Sequence, residues 1–328
     1  MPILITGITG FIGSNLAKRL VGEGEEVYGL VRHSSRADLR PLEPILDKVR
    51  FVEGDLCEYH SVRSAIVSTR PNAVIHLGAI TPVRHSYEDP FPYAKVNFDG
   101  TMNVAHAIIE TSPHTKLIAA STAEVYGWQP QTPIGENAQL NPASPYAVSK
   151  AAADAYLRMA MKVYGLKATV MRCNNTYGRI RERGFISEYI ISSMLADQPV
   201  YIGAPSHVRD YMIVDDHVAA YLRALKSEAA LGETFNVSPG NPITNLELAA
   251  KIAQITGFKG KIIEGSYPPG YPVRPTQWDT EYIVLKNEKI SSKLGWKPSV
   301  SLDEGLRRTV DAWRVTEVAG VSSERPQK

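Results

Sequence analysis

The sequence has little cysteine, no excess of charge of either sign and no long hydrophobic run. Its 328 residues include two cysteines, Cys57 and Cys173, which are too few for a disulfide scaffold or a thiolate metal site. The 36 basic residues nearly balance the 34 acidic ones, so no electrostatic footprint for nucleic acid is visible. No apolar run approaches the roughly 20 residues that span a bilayer, and no basic leader precedes the first apolar run. We therefore expect a cytoplasmic protein that binds no metal, nucleic acid or membrane.

Apolar runs with strand character alternate with helical patterns over the first half of the chain. This alternation is typical of a doubly wound parallel sheet, and a chain of this length holds one large α/β unit or two coupled domains. After the sixth predicted strand the pattern breaks, and proline and glycine become frequent. We predict a Rossmann-type α/β domain from residues 1–172 with part of about 207–240, a smaller C-terminal α/β substrate domain from about 173–206 and 241–320, and a mobile tail at 321–328.

The first apolar run leads into the motif Thr-Gly-Ile-Thr-Gly-Phe-Ile-Gly, and an amphipathic helix pattern follows. Strand, glycine turn and helix stand in the order that a dinucleotide site requires, although the spacing is G-x-x-G-x-x-G rather than G-x-G-x-x-G. The glycines let backbone N–H groups approach a pyrophosphate at the helix N-terminus. The predicted cofactor contacts in this motif are Gly7, Gly10, Phe11, Ile12 and Gly13.

The second predicted strand, residues 26–31, ends without the acidic residue that binds the ribose 2′-hydroxyl in NAD-preferring sites. It runs instead into Arg32, which would suit a 2′-phosphate together with Ser34, Ser35 or Arg36. The sequence therefore favours NADP as the cofactor. NAD is the alternative, in which Arg32 stacks on the adenine or faces water.

Later strands bring further side chains to the carboxyl edge of the sheet, where ligands of open parallel sheets bind. The fifth predicted strand, residues 116–120, delivers Thr122 and Glu124 to this edge. A helix cap or an ion-pair partner is the structural alternative for Glu124. The third and fourth predicted strands, 49–56 and 73–79, carry further predicted cofactor contacts near their ends, namely Asp55, Leu56, Leu77 and Ala79.

Tyr146 and Lys150 are four residues apart in a stretch rich in helix-forming alanine, so both side chains lie on one face of a helix. A tyrosine titrates near ~10, and an ammonium within ~4–6 Å favours the phenolate. We therefore expect Lys150 to lower the pKa of the Tyr146 phenol and make it a base for a substrate hydroxyl. Tyr282 and Lys286 have the same spacing, but their β-branched segment predicts a strand, in which the two side chains would be roughly 13 Å apart.

Several motifs, each in its expected order, resemble those of one known family. They are the glycine motif, Ser-Thr-x-Glu-Val-Tyr-Gly, Ser-Pro-Tyr-x-x-Ser-Lys, and the segment from Arg172 to Gly178. Together they resemble the extended short-chain dehydrogenase/reductase family, whose members modify nucleotide sugars. The segments around Arg209 and Trp296 are similar to its nucleotide-clamping and C-terminal signatures. The resemblance covers nearly the whole chain and implies a Rossmann domain that binds NAD(P) and a C-terminal domain that binds a nucleoside-diphosphate sugar.

The resemblance also implies a role for each residue that matches a family motif. Tyr146 would be the base on the sugar 4-hydroxyl, and Lys150 would bind the nicotinamide ribose and tune the phenolate. Thr122 would hydrogen-bond the sugar oxygen O4. The positions that contact the diphosphate of the substrate are matched by Asn175, Arg209 and Arg274.

Glu124 distinguishes the subfamilies. The motif Thr-x-Glu resembles that of 4,6-dehydratases, such as those for GDP-mannose and dTDP-glucose, and of UDP-glucuronate decarboxylases, whereas 4-epimerases usually have a small or hydroxyl residue there. Elimination needs a base at C5, and a ketone at C4 makes the C5 proton acidic enough for a carboxylate to remove. Ala123 is a departure, since dehydratases usually place Asp or Ser there to assist the departing 6-hydroxyl. The resemblance therefore predicts a 4,6-dehydratase, with a 4-epimerase as the main alternative; a 4-keto-sugar reductase, a UDP-glucuronate decarboxylase and a non-catalytic NAD(P)-binding sensor are favoured less.

The resemblance implies a homodimer as well. Helices near Met102–Ile109 and Ala151–Tyr164 would pack against their counterparts in a second copy as a four-helix bundle. The alanine run at 151–153 would allow these helices to approach closely. The alternative is that the same alanines pack on the sheet.

Overall fold

The computed structural model describes residues 1–32, 38–180, 182–271 and 280–318. Ser34, Ser35, Arg36, Arg274 and the predicted tail at 321–328 lie outside the described residues. The strands, in chain order, are β1 (Pro2–Thr6), β2 (Glu26–Val31), β3 (Val49–Glu53), β4 (Ala73–His76), β5 (Lys116–Thr122), β6 (Ala168–Cys173), β7 (Asn175–Tyr177), β8 (Val200–Ile202), β9 (Val208–Ile213), β10 (Glu233–Val237), β11 (Pro242–Thr244), β12 (Ile262–Glu264) and β13 (Tyr282–Ile283).

Helices connect most of these strands. The α-helices are α1 (Phe11–Gly22), α2 (Tyr59–Thr69), α3 (His85–Glu88), α4 (Phe91–Tyr93), α5 (Gly100–Thr111), α6 (Pro145–Val163), α7 (Ile186–Leu195), α8 (Val214–Lys226), α9 (Asn245–Thr256), α10 (Glu288–Leu294) and α11 (Leu302–Val318). A π-helical segment, Ala94–Asp99, joins α4 to α5. Short 3-10 segments occupy Arg40–Lys48, Ala123–Tyr126 and Glu228–Ala230.

Seven of the described strands form one sheet in the order β3-β2-β1-β4-β5-β6-β10, and every neighbouring pair is parallel. Parallel strands covered by helices on both faces are apolar along their whole length, and Ile3, Leu4 and Ile5 of β1 are all fully buried. The strand order reverses between β1 and β4, and ligands of such sheets bind at the carboxyl edge of this switch point. The doubly wound parallel sheet that the sequence predicts is confirmed.

Helices cover the two faces of the sheet with separate apolar cores. On one face, Leu16 of α1 packs in the same cluster as Tyr221 of α8. On the other face, Ile66 of α2, Ile108 of α5 and Leu157 of α6 form a second cluster. Full burial of a leucine or isoleucine side chain stabilises the fold by roughly 1.5–3 kcal/mol. This packing fixes α1 and α6 against the edge where the glycine motif and Tyr146 lie.

Two strands are shorter than the sequence predicts, because the backbone N–H groups of Asp55 and Gly78 bond to side chains. β3 ends at Glu53 and β4 at His76, so Asp55, Leu56, Leu77 and Ala79 lie in the loops that follow. The backbone N–H of Asp55 bonds to the side chain of Ser61 across 2.9 Å instead of to a neighbouring strand. The predicted residues remain at the carboxyl edge.

The other strands belong to two small sheets. β9 pairs antiparallel with β11 and parallel with β7 and β13, and β8 pairs parallel with β12. Helices α7, α9 and α11 share a third core with β7, β8 and β9, which includes Ile190, Leu248 and Trp313. By contrast, β10 extends the main sheet and α8 packs on it. The division into residue ranges for two domains stays a prediction.

Three expectations from composition can be compared with the residues that the structure describes. Cys57 and Cys173 are free thiols, and Cys173 is buried. Across the described ranges no helix combines the length and apolar character needed to cross a bilayer. The same ranges hold no group of His, Cys, Asp and Glu side chains arranged to bind a metal ion.

Candidate active site

Helix α6 presents Tyr146 and Lys150 at the carboxyl edge of the sheet. It begins at Pro145, a residue suited to the first helical position, and the side chain of Ser144 caps it by accepting a hydrogen bond from the N–H of Ala147 (3.1 Å). Tyr146 is 8% exposed and Lys150 is 4% exposed. The helix is where the sequence places it, and the two side chains lie one turn apart in a nearly dry environment.

Lys150 is held against the sheet as a buried cation. Its Nζ donates a hydrogen bond to the backbone carbonyl of Ala120 across 2.6 Å. Burial lowers the pKa of Lys150 to about 8, and the nearby Asp154 and Cys173 oppose part of this decrease. At neutral pH Lys150 therefore remains mostly protonated.

The hydroxyl of Thr122 lies close enough to the phenol of Tyr146 to act on its pKa. Burial raises the pKa of Tyr146 well above its ordinary value; the Thr122 hydroxyl lowers it in part, and the charge of Glu124 raises it further. The net lowering of the Tyr146 pKa that the sequence predicts is therefore wrong for the protein alone, because burial of the phenol outweighs the favourable contact with Thr122. A positive charge beside Tyr146 would favour its phenolate, the form that acts as a base.

Thr122 and Glu124 stand at the end of β5. Thr122 is the N-cap of the 3-10 segment Ala123–Tyr126, and its Oγ1 accepts a hydrogen bond from the N–H of Glu124 at 3.3 Å. Glu124 itself is half-buried, and its charge acts on the phenol of Tyr146. Ala123 is buried among apolar neighbours such as Val125. The turn therefore brings one hydroxyl and one carboxylate to Tyr146, with no polar side chain between them.

The glycine motif forms a cradle too narrow for side chains. Gly7 has φ +71°, and a Cβ there would lie 2.8 Å from the backbone nitrogen of Gly78. A Cβ on Gly13 would lie 2.2 Å from the carbonyl oxygen of Gly7. No side chain caps the first N–H groups of α1, whose N-cap is Gly10. Open N–H groups at a helix N-terminus suit a pyrophosphate, so this cradle fits a dinucleotide.

The other predicted cofactor contacts lie on the loops that flank this cradle. Arg32 is exposed at the end of β2. Leu56 contacts the loop after β4, since a Cβ on Gly78 would lie 2.6 Å from its Cδ1. The carboxylate of Asp55 accepts a hydrogen bond from the N–H of Cys57 at 2.9 Å. The loops after β2, β3 and β4 thus carry the predicted set at the carboxyl edge of the sheet, namely Arg32, Asp55, Leu56, Leu77 and Ala79.

The two described residues among the predicted diphosphate contacts differ in their exposure to solvent. Asn175 is the exposed first residue of β7, two residues beyond the end of β6. Arg209 in β9 is only 6% exposed. Its guanidinium donates hydrogen bonds to the backbone carbonyls of Val208 (2.9 Å), Thr280 (2.8 Å) and Glu281 (3.1 Å). These bonds tie β9 to the segment before β13, and the role of Arg209 toward a substrate stays a prediction.

Two residues beside Tyr146 and Lys150 were not expected from the sequence. The Tyr93 ring meets the Tyr146 ring edge-on, with centroids 6.3 Å apart, and its hydroxyl donates to the carbonyl of Pro82 at 2.6 Å. Asp154 is fully buried against Arg172 of β6. The four-residue spacing from Lys150 was a usable signal for Asp154, because it places both on one helix face. Tyr93 carried no comparable signal.

Comparison with known proteins agrees with this architecture. The family profile described as GDP-mannose 4,6 dehydratase matches residues 4–309. The chain is 33% identical over 319 residues to a UDP-glucose 4-epimerase of Mycolicibacterium smegmatis, covering 96% of this chain and 99% of the relative. It is 30% identical over 329 residues to a dTDP-glucose 4,6-dehydratase of the same organism, covering 97% and 94%.

A solved structure shows the same fold. The UDP-glucose 4-epimerase of Thermus thermophilus, crystallised as a complex with NAD, superposes with a TM-score of 0.83 at 32% identity, covering 96% of this chain and 99% of that one. The match extends over both the main sheet and the small sheets. Sequence motifs, topology and relatives therefore agree that this chain belongs to the extended short-chain dehydrogenase/reductase family of nucleotide-sugar epimerases and dehydratases.

Proposed function

We propose that this protein is a nucleotide-sugar 4,6-dehydratase that makes a 4-keto-6-deoxy sugar. The observation that carries the proposal is the position of Glu124, which lies on the turn capped by Thr122 and whose charge acts on the phenol of Tyr146. Elimination of water needs a base at C5 in addition to the base at the 4-hydroxyl, whereas epimerisation at C4 needs only the latter. The dTDP-glucose 4,6-dehydratase among the relatives supports this choice.

The residues of the site divide the first half of the reaction among them. A bound, oxidised NAD(P) would supply a positive ring charge, a hydride acceptor at C4 and a hydride donor at C6. The glycine cradle and Lys150 would hold this cofactor, Arg32 adding contacts at its adenosine end. Tyr146 would accept the proton of the 4-hydroxyl, and Thr122 would hydrogen-bond the same sugar oxygen. Lys150, cationic at neutral pH, would stabilise the phenolate that accepts this proton.

The second half of the reaction depends on Glu124. Once C4 is a ketone, its carboxylate would remove the C5 proton, and the electrons of that bond would form a C5–C6 double bond as the 6-hydroxyl leaves. Because Ala123 offers no polar atom, Glu124 would also give its proton to the departing hydroxyl, which leaves as water. The 4-keto-6-deoxy sugar would be complete once C6 has received the hydride and C5 a proton, which is balanced by the proton that Tyr146 took from the 4-hydroxyl.

A 4-epimerase is the second candidate, and two observations favour it. Ala123 lacks the acid that dehydratases usually carry there, and the relative with 33% identity is a UDP-glucose 4-epimerase. In that case Glu124 would be a structural hydrogen-bond partner. The sugar would rotate in the site and be reduced at C4 with no loss of water.

Incubation with GDP-, dTDP-, UDP- and CDP-hexoses, followed by mass spectrometry, tests the proposal. The dehydratase should give a product lighter by one water. Interconversion of gluco and galacto sugars at constant mass would support the epimerase, and stoichiometric oxidation of NADPH would identify a 4-keto reductase. Absence of any reaction, with the cofactor shown to be bound, would contradict an enzymatic role.

We also propose NADP as the cofactor, with NAD as the alternative. The exposed Arg32 at the end of β2, where no acidic residue follows the strand, supports NADP. The NAD in the Thermus thermophilus epimerase supports the alternative. Mass spectrometry of nucleotides released from the denatured protein would identify the cofactor, and a co-purified substrate in the same experiment.

The outer face of α6 supports a homodimer built as a four-helix bundle with α5. Apolar side chains stand exposed along it, with Val148 at 52%, Met159 at 36% and Val163 at 65%. Their spacing places them on one stripe of the helix, and an exposed apolar stripe of this kind marks a protein interface. Light scattering should give twice the mass of the chain, and Val163→Glu should give the monomer. A monomeric wild-type protein would contradict the dimer.

A further inference from the structure

One carboxylate buried behind Lys150 collects four hydrogen bonds. Asp154 lies one turn beyond Lys150 on α6 and is 1% exposed. Its Oδ2 accepts from Ser121 Oγ (3.0 Å) and Arg172 Nε (2.8 Å), and its Oδ1 accepts from Arg172 Nη2 (2.8 Å) and Arg158 Nε (2.8 Å). The carboxylate therefore joins α6 to the ends of both β5 and β6.

The remaining donors of Arg172 extend this network to the turn that carries Glu124. Arg172 Nη1 donates to the hydroxyl of Tyr126 at 2.7 Å and to the carbonyl of Glu136 at 3.0 Å. The guanidinium also lies over the Tyr126 ring, 4.9 Å from its centroid. Tyr126 in turn donates to Asn236 of β10 at 2.7 Å. Tyr126 ends the same 3-10 segment that begins next to Thr122.

The network thus touches each element that supplies a group to the site. Ser121 immediately precedes Thr122 on β5, and Asp154 shares a helix face with Lys150 and Tyr146. The 3-10 segment that holds Glu124 is anchored at its far end through Tyr126. A shift of about 1 Å between reacting groups is enough to lower a rate roughly 100-fold.

We propose that Asp154 and Arg172 are a positioning pair for catalysis, which fixes the spacing between α6, β5 and the Glu124 turn and keeps a negative charge behind Lys150. The inference rests on the proposed function for the identity of the groups that it positions. Stability alone does not account for the pair, because a buried ion pair is often no more stabilising than apolar side chains of similar size.

The charge of Asp154 bears on Lys150 in particular. The titratable groups around Lys150 are His76 on β4, Cys173 on β6, and Tyr146 and Asp154 on its own helix. Of these, Asp154 is the carboxylate, and it raises the pKa of Lys150 against the effect of burial. Loss of Asp154 should therefore make the lysine easier to deprotonate.

A matched pair of single variants tests the positioning role. Ser121→Ala and Arg158→Met each remove one hydrogen bond from the Asp154 carboxylate. Ser121 donates from β5, whereas Arg158 donates from a side chain that is 43% exposed. Ser121→Ala should lower kcat roughly tenfold with little change in KM. Arg158→Met should leave kcat within about twofold, as for a partly exposed ion pair. Equal effects of the two variants on kcat would overturn the positioning role.

A double variant separates positioning from stability. Asp154→Leu with Arg172→Met replaces the ion pair by apolar side chains, so the melting temperature should stay equal or rise. The proposal predicts that kcat nevertheless falls by about tenfold or more, and that the pKa of Lys150, followed by NMR of labelled lysine and assigned with Lys150→Met, falls below its wild-type value. Wild-type kcat and pKa in this variant would overturn the proposal.

The two proposals fail in different ways. If the wild-type protein converts no nucleotide sugar, the proposed function fails. The positioning pair can still be tested in that case, because the pKa of Lys150 can be compared between the wild type and the double variant. An unchanged Lys150 pKa in that comparison overturns the inference without any turnover. If the double variant does not fold, the same titration in Asp154→Asn, which keeps the side-chain shape, decides in the same way.

Discussion

The Nζ of Lys150 donates a hydrogen bond to the carbonyl oxygen of Ala120 across 2.6 Å, and this contact ties α6 to the strand that ends at Thr122. A lysine that is 4% exposed loses most of its hydration. The folded protein therefore tolerates a destabilising charge one helical turn from Tyr146. Several consequences of this arrangement are measurable.

Lys150→Met should remove activity and increase stability. The methionine fills a similar volume without a buried charge, so we expect the free energy of unfolding to rise by about 1–3 kcal/mol. Turnover should fall by at least roughly 100-fold, because the cation that would stabilise the Tyr146 phenolate in the proposed mechanism is lost. Thermal melts and steady-state kinetics measure the two effects, and a variant that is both less stable and still active would contradict the account.

The same lysine predicts a pH window for stability. The pKa of Lys150 falls from 10.5 for the ordinary side chain to about 8 in the folded protein, so between these values the unfolded chain binds more protons than the folded one, and stability rises with pH. The destabilising contribution of Lys150 is therefore fully present below pH 8 and is relieved as the pH approaches 10.5. In denaturant titrations the stability gap between Lys150→Met and the wild type should narrow across this window. A constant gap would contradict the lowered pKa.

Gly13→Ala should disable the dinucleotide cradle. The added Cβ would lie 2.2 Å from the carbonyl oxygen of Gly7, so the loop must move away from its present path. Overpacking of this kind should weaken cofactor binding by roughly 10- to 100-fold. Gly22→Ala on the same helix is the control, since a Cβ there meets nothing within 4 Å. Isothermal titration of both variants with NAD and NADP provides the comparison, and equal affinities would be incompatible with this site.

Arg32→Ala tests which cofactor is preferred. If Arg32 binds a 2′-phosphate, its loss should weaken NADP binding about tenfold, as for a charge-assisted hydrogen bond, and should leave NAD binding unchanged. Arg63→Ala is the control, because it also removes one positive charge, from a side chain of α2 that is 41% exposed. Tighter binding of NAD than of NADP by the wild type would assign the alternative cofactor.

The sequence predicted those parts of the fold and site that follow from local pattern and parallel topology. Apolar runs located six of the seven strands of the main sheet, all but β10, and parallel strands place their carboxyl ends at one edge, which brings Thr122 to the helix of Tyr146. The strands of the small sheets, such as β7 and β13, are only 3 and 2 residues long. Runs this short carry no periodicity, so their pairing with β9 could not be read from the sequence.

The pKa shifts and ion pairs of the site depend on how deeply each side chain is buried, and the spacing of residues in the sequence does not show burial. The four-residue spacing put Lys150 one turn from Tyr146, but the burial that raises the pKa of that phenol appears only in the folded chain. Arg209 likewise matches a ligand-binding position in sequence, whereas its contacts to three backbone carbonyls arise from the meeting of β9 with a distant segment. The link between Asp154 and Arg172 is of the same kind, since it joins a helix to a strand.

The most direct test of the dehydratase assignment is the rate of water loss in Glu124→Gln, measured by mass spectrometry on the nucleotide sugar that the wild type converts. Glutamine keeps the size of the side chain but cannot take the C5 proton, so the rate should fall by ~10²-fold or more while cofactor binding is unchanged. Glu264→Gln, at an exposed position on β12, is the matched control and should behave as the wild type. Near wild-type turnover by Glu124→Gln, with sugars interconverted at constant mass, would contradict the assignment and leave the epimerase in its place.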